Sequence, residues 1–313
     1  MVVINFGKTT KYSLDEKEKI MKLSASLLLG LCFSFLSIII NINAQDNQVR
    51  ENNIIVNSHS MHYCCIGSGS PTIVLDVGIG ETYRDWLQFL NKITNKVQIF
   101  CYDRAGYGQS EIGALPRDSK TEATELKTLL EKANIKGPYI LLGHSLGALN
   151  LEVFASQYAN DVAGILLLDP PPLEWISGKG FPKLTKMAEQ TTENFKNLSE
   201  KMKTSNSEAD RQKADFFKTL ASEHEEMFLA SAKEALAIAS FGDVPLIVIA
   251  SGKANPQMGE DAEAFQKFWN EQCKKLSLKS TKGEYLLAAK NSHHIHIDNP
   301  EIVMDAINKL LSK

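Results

Sequence analysis

Three side chains that together can activate a hydroxyl occur in the chain order Ser145, Asp169, His293. A serine hydroxyl is a weak nucleophile until a base takes its proton. The base in turn needs a carboxylate that orients it and stabilises the imidazolium. Ser145 lies in Gly143-His-Ser-Leu-Gly147, between the apolar run Tyr139 to Leu142 and the helix-compatible run Ala148 to Tyr158. A strand that turns sharply into a helix at this point forces strained backbone angles on Ser145. It also demands small residues at 143 and 147, where strand and helix approach. The hydroxyl then stands clear of the sheet, and the backbone N–H groups of the helix N-terminus face a developing oxyanion. The candidate acid, Asp169, closes the run Val162 to Leu168, and the candidate base, His293, follows the run Gly283 to Ala289. His294 and His296 compete with His293. Glu260 and Asp261 compete with Asp169, and Asn255 offers only an amide.

These residues need a frame, and the order of apolar runs supplies one. Ile54 to Val56 and Met61 to Ile66, separated by the polar Asn57 to Ser60, predict an antiparallel hairpin after a polar linker, Gln45 to Asn53. Buried strands are expected at Thr72 to Leu75, Lys96 to Cys101, Tyr139 to Leu142, Val162 to Leu168, Pro245 to Ala250 and Gly283 to Ala289. A short helix is expected from Trp86, and amphipathic helices over Ser119 to Ala133, Ala262 to Leu276 and Pro300 to Leu311. Strands alternating with helices at this spacing predict an α/β fold with a mostly parallel twisted sheet covered on both faces. Pro170 to Asp243 breaks the rhythm. It is too long for a strand-to-helix link, is rich in Lys, Glu, Ala and Leu, and carries scattered aromatics, so it is expected to be a helical lid insertion.

The chain has 313 residues, 43% hydrophobic and 23% charged, with a formal net charge of -3. That balance gives no electrostatic basis for binding nucleic acid. Nor does the chain carry a phosphate-binding loop, a dinucleotide fingerprint or metal-ligand spacing, so neither cofactor nor metal is expected. Leu23 to Ile42 carries no charge, with Lys22 before it and Ala44-Gln-Asp46 after it. This pattern is that of a secretory signal peptide over residues 1–44, with Met21 a possible start, and a secreted or periplasmic domain over 45–313. Its rival is an uncleaved membrane anchor over residues 23–42. Export permits disulfides among Cys64, Cys65, Cys101 and Cys273, but no pairing can be derived.

Four segments together resemble the α/β-hydrolase superfamily: Asp76-Val-Gly-Ile-Gly80, Tyr102-Asp-Arg-Ala-Gly-Tyr-Gly108, Gly143-His-Ser-Leu-Gly147 and Ser292-His-His-Ile-His-Ile-Asp-Asn-Pro300. The resemblance spans Ile54 to Leu311 apart from the insertion. It implies Ser145 as nucleophile, His293 as base and then acid, and the backbone N–H groups of Ile79 and Leu146 as an oxyanion hole. Many relatives carry the acid in a Gly-x-x-Asp turn after the next strand, where this chain has Gly252-Lys-Ala-Asn255; others place it where Asp169 stands. Arg104 is expected to hydrogen-bond backbone carbonyls, and His144 to face away from the triad. An Asp in place of Ser145 would imply a dehalogenase or epoxide hydrolase. The serine implies a hydrolase of carboxylic esters with a small-molecule substrate. An acyltransferase, thioesterase, amidase or C–C hydrolase on the same residues, or a ligand-binding protein of this fold, are the alternatives.

Overall fold

In the computed structural model, residues 49–93 and 97–312 are described. The expected leader, residues 1–44, lies outside them. Eight strands form one sheet in the order β1-β2-β4-β3-β5-β6-β7-β8. They are β1 (Val49–Val56), β2 (His59–Ile66), β3 (Ile73–Asp76), β4 (Ile99–Tyr102), β5 (Tyr139–His144), β6 (Val162–Leu168), β7 (Leu246–Ser251) and β8 (Gly283–Ala288). The β1–β2 and β2–β4 pairs are antiparallel and every other pair is parallel. The polar segment expected to be a linker is partly strand, because β1 begins at Val49. As an edge strand it leaves Glu51, Asn52 and Asn53 in solvent, so its composition is that of a linker while its backbone pairs with β2. Asn57 and Ser58 close the hairpin with φ of 47° and 79°, the positive pair that a two-residue turn between twisted strands requires.

Helices cover both faces, as the alternating runs predict. A short helix α1 (Leu87–Leu90) precedes β4, α2 (Ser119–Lys132) precedes β5, and α3 (Leu146–Gln157) leaves β5. Between β6 and β7 come α4 (Leu173–Ile176), α5 (Pro182–Lys203), α6 (Glu208–Met227) and α7 (Ala230–Leu236), four helices joined by irregular turns within the expected insertion. The chain ends with α8 (Ala262–Ser277), the turn α9 (Ile295–Asp298) and α10 (Pro300–Leu311). Strand side chains alternate between two cores. Val74, Leu141, Ile165 and Val248 face α2, α3 and α8, while Leu75, Leu142, Leu166 and Ile249 face α1 and α10. A third cluster joins Leu146 and Leu149 of α3 to Trp175, Ile176, Leu184 and Ala232 of the insertion and to Phe265 of α8. The C-terminal ends of β5, β6 and β8 therefore open toward the insertion. No helix among the described residues is long and apolar enough to cross a membrane.

Candidate active site

Ser145 stands between β5 and α3 with φ 52° and ψ −122°, a conformation that L-residues seldom adopt. The glycines beside it make the turn possible. A Cβ on Gly143 would sit 2.6 Å from the Ala148 Cα, and one on Gly147 would sit 2.5 Å from the Val77 carbonyl oxygen. The start of α3 therefore lies directly against the loop that follows β3. Ser145 N–H donates to Leu168 O at 3.0 Å, so the serine is tied to the end of β6, one residue before Asp169.

Asp169 also has positive φ, 47°, and is buried. Each of its oxygens is committed. Oδ1 accepts from the Ser251 backbone N–H at 2.9 Å, and Oδ2 accepts from Ser251 Oγ at 2.8 Å and faces His293 Nδ1 at 2.6 Å. The three candidate histidines part company here. His293 meets Asp169; His294 meets Glu81, with Nε2 3.2 Å from Oε1; His296 stacks on Trp86 at 3.5 Å between ring centroids. Glu81 raises the His294 pKa, whereas burial pushes His296 down to about 3. Glu260 and Asp261, the alternative acids, lie at the far end of a surface turn, and Glu260 pairs with Lys183. Asn255 caps that turn, its Oδ1 accepting from Gln257 N–H at 3.0 Å. The Ser145 hydroxyl has no hydrogen-bond partner among the described residues, and neither Ile79 N–H nor Leu146 N–H donates within them. Among these residues no group of His, Cys, Asp and Glu is placed to hold a metal.

Two features depart from the sequence reading. His144, expected to face away, has its ring 4.7 Å from that of His293, and its Nε2 lies 3.1 Å from the His293 carbonyl oxygen. The reason is the alternation along β5: His144 points to the same face as Leu142, and the loop carrying His293 closes over that face. The second feature is Glu81, a residue that no local pattern singles out. Its carboxylate accepts from Gly78 N–H at 2.9 Å and Trp86 Nε1 at 3.1 Å, and meets His144 Nδ1 at 3.3 Å. One side chain thus joins the loop after β3, the turn at Ser145 and the loop of His293. Hydrogen bonds from the two histidines and Trp86 hold its pKa far below the usual carboxylate range against the opposing effect of burial. Arg104 behaves as expected, donating to Val77 O at 2.7 Å and Gly78 O at 2.9 Å. The four cysteines among the described residues are buried and free, and Cys101 is part of the core.

A cavity of about 460 Å³ opens beside this arrangement. Its lining mixes the apolar Met258, Phe265 and Trp269 with the polar Asp169, His293 and Lys253.

A family model described as alpha/beta hydrolase fold matches residues 71–300. YqjL of Bacillus subtilis (strain 168) is 30% identical over 241 residues, covering 77% of this chain and 83% of its own length. A soluble epoxide hydrolase of Corynebacterium sp. (strain C12) is 24% identical over 135 residues, 43% of this chain and 46% of its own. Among solved structures, MGS-M2, an α/β hydrolase from a Medee basin deep-sea metagenome library, has a TM-score of 0.62 at 13% identity. It covers 84% of this chain and 98% of its own. The haloalkane dehalogenase DatA of Agrobacterium tumefaciens C58 has a TM-score of 0.61 at 13% identity, over 86% and 98%. Identities this low speak for the fold alone. With the family match extending from the strand before the Gly78 loop to the first residue of the last helix, the chain belongs to the α/β-hydrolase fold family and is a hydrolase by kinship.

Proposed function

We propose that this protein is a serine hydrolase of carboxylic esters working through an acyl-enzyme. The observation that carries this reading is the placement of Ser145. A serine occupies the strained strand-to-helix turn, one strand from an Asp169–His293 pair at 2.6 Å. In this reading His293, held in one tautomer by Asp169, takes the Ser145 proton as the hydroxyl attacks the ester carbonyl. The N–H groups of Ile79 and Leu146 receive the oxyanion, and His293 then protonates the departing alcohol. Water repeats the sequence on the acyl group. The positions matching the nucleophile of dehalogenases and epoxide hydrolases would call for an aspartate, so likeness to those enzymes supports the fold rather than their chemistry.

Met258, Phe265 and Trp269 along the cavity favour a short to medium acyl group. Turnover of nitrophenyl esters from acetate to palmitate, by protein starting near Gln45, tests the reading. Activity is expected to peak at short to medium chains and to vanish in Ser145→Ala; persistent activity in that variant sinks it. We further infer that residues 1–44 direct export and are removed, on the strength of the uncharged run Leu23 to Ile42 before Ala44. N-terminal sequencing of the mature protein would show a start near Gln45. An intact N-terminus in a membrane fraction would favour the anchor instead.

A further inference from the structure

Helix α6 of the insertion reaches the reacting centre through one buried carboxylate. Glu223 is fully buried and accepts from Arg104 twice, from Nε at 2.9 Å and from Nη2 at 3.2 Å, and from the Tyr107 hydroxyl at 2.7 Å. The other side of the guanidinium serves the loop after β3. Nη1 donates to Asp76 Oδ1 and Val77 O, both at 2.7 Å, and Nη2 donates to Gly78 O at 2.9 Å. A guanidinium is a rigid plane, so carboxylates on two of its edges fix where the donors to the remaining acceptors point.

Gly78 is therefore held at both ends, its N–H by Glu81 and its carbonyl by Arg104. In a trans peptide the C=O and the following N–H point in opposite directions. Drawing the Gly78 carbonyl onto Arg104 turns the Ile79 N–H to the opposite side of the peptide. We propose that Glu223 is a positioning residue for the oxyanion site: with Asp76 it fixes the Arg104 guanidinium, which orients the Gly78–Ile79 peptide. Docking of the insertion and assembly of the oxyanion donor are then one event. An insertion lifted at α6 leaves Arg104 with one of its two carboxylates and loosens its hold on the peptide. This inference rests on Ser145 being the nucleophile.

The test compares Glu223→Gln with Ser231→Ala, using 4-nitrophenyl butyrate and an alkyl boronic acid that adds to the serine as a tetrahedral mimic. Ser231 Oγ accepts from Ser119 N–H at 2.8 Å and docks the insertion without touching Arg104. Glu223→Gln is expected to lower kcat by about ten- to a hundredfold, below the loss for deleting an oxyanion donor outright. KM should stay within twofold, and boronate affinity should fall by the same factor as kcat. Ser231→Ala is expected to lower Tm with kcat unchanged. The proposal is overturned if Glu223→Gln keeps kcat and boronate affinity within twofold, or if Ser231→Ala loses as much of both. Should Glu223→Gln fail to fold, Glu223→Asp keeps the charge but withdraws it by one methylene. A several-fold loss of kcat at unchanged KM supports the proposal, and full activity overturns it. A wild-type protein without Ser145-dependent turnover removes the underlying reading and this inference together; a working wild type beside a fully active Glu223→Gln removes only the inference.

Discussion

Replacing Asp169 by asparagine changes one atom and, by the geometry around it, forces the wrong tautomer on His293. Ser251 N–H can only donate, and it donates to Oδ1 at 2.9 Å. Asparagine must therefore keep its oxygen on Ser251 N–H, since the flipped amide sets two donors against each other at a buried site, a cost of about 1–3 kcal/mol. With the oxygen so placed, the new NH2 takes the position of Oδ2, 2.8 Å from the Ser251 hydroxyl and 2.6 Å from His293 Nδ1. The hydroxyl can rotate to accept. His293 Nδ1 must also accept, which moves the ring proton to Nε2 and leaves nothing to receive the Ser145 proton. The variant also lacks the charge that stabilises the imidazolium. Together these effects should lower kcat about ten-thousandfold, or about 5 kcal/mol in the barrier. The assay is steady-state hydrolysis of 4-nitrophenyl butyrate by Asp169→Asn, Glu260→Gln and Asp261→Asn, with Tm recorded for each. Asp169→Asn retaining a tenth of wild-type kcat would show that Asp169 does not set the His293 tautomer. A larger loss in either of the other variants would move the acid to the turn after β7.

Four further outcomes are expected. Ser145→Gly should relieve the backbone conformation at φ 52°, ψ −122° and raise stability by about 1 kcal/mol, net of the entropy that glycine adds to the unfolded chain. Calorimetry beside Ser145→Ala, which gains no such relief, checks this. Gly147→Ala should not fold, because its Cβ would meet the backbone carbonyl of Val77 at 2.5 Å and neither β3 nor α3 can retreat; circular dichroism reads the outcome. Glu152 on α3 is buried with neither oxygen hydrogen-bonded among the described residues, and burial lifts its pKa to about 7. The folded chain then keeps a proton that the unfolded chain has lost between about pH 4.5 and 7. Stability attributable to this group falls as pH rises through that window and levels off above it, by at most about 3 kcal/mol. Urea titrations should show that Glu152→Gln lacks this slope and is the more stable protein above pH 7. Glu81→Ala strips the acceptor from Gly78 N–H and from the buried Trp86 Nε1, and should cost about 2–4 kcal/mol in urea denaturation together with most of the activity.

The buried strands were legible because each is an apolar run closed by a glycine, an acid or a polar turn, and their ends locate Ser145, Asp169 and His293 in the same chain segments that the structure joins. Composition failed at β1, where an edge strand with an exposed face carries linker-like residues. The contacts around the candidate residues were largely illegible. Glu223 lies 119 residues from Arg104, and Ser251 lies 82 residues from Asp169, so no local spacing relates them. Glu81 sits close to Gly78 in sequence, yet its importance comes from His144 and His294, which only the closed sheet brings to it. The facing of His144 needed the path of the last loop as well as the alternation of β5. Local pattern sets the elements; the partners of a buried charge follow from how those elements meet.

Every step of the proposed reaction requires Ser145 to be an activated nucleophile. Incubating the folded protein with a fluorophosphonate and locating the adduct by peptide mass spectrometry addresses that most directly. A single adduct on Ser145 is expected, absent from Ser145→Ala and formed far more slowly in Asp169→Asn. A folded protein that takes no label, or takes it on another residue while Ser145 stays free, would rule out Ser145 as the nucleophile.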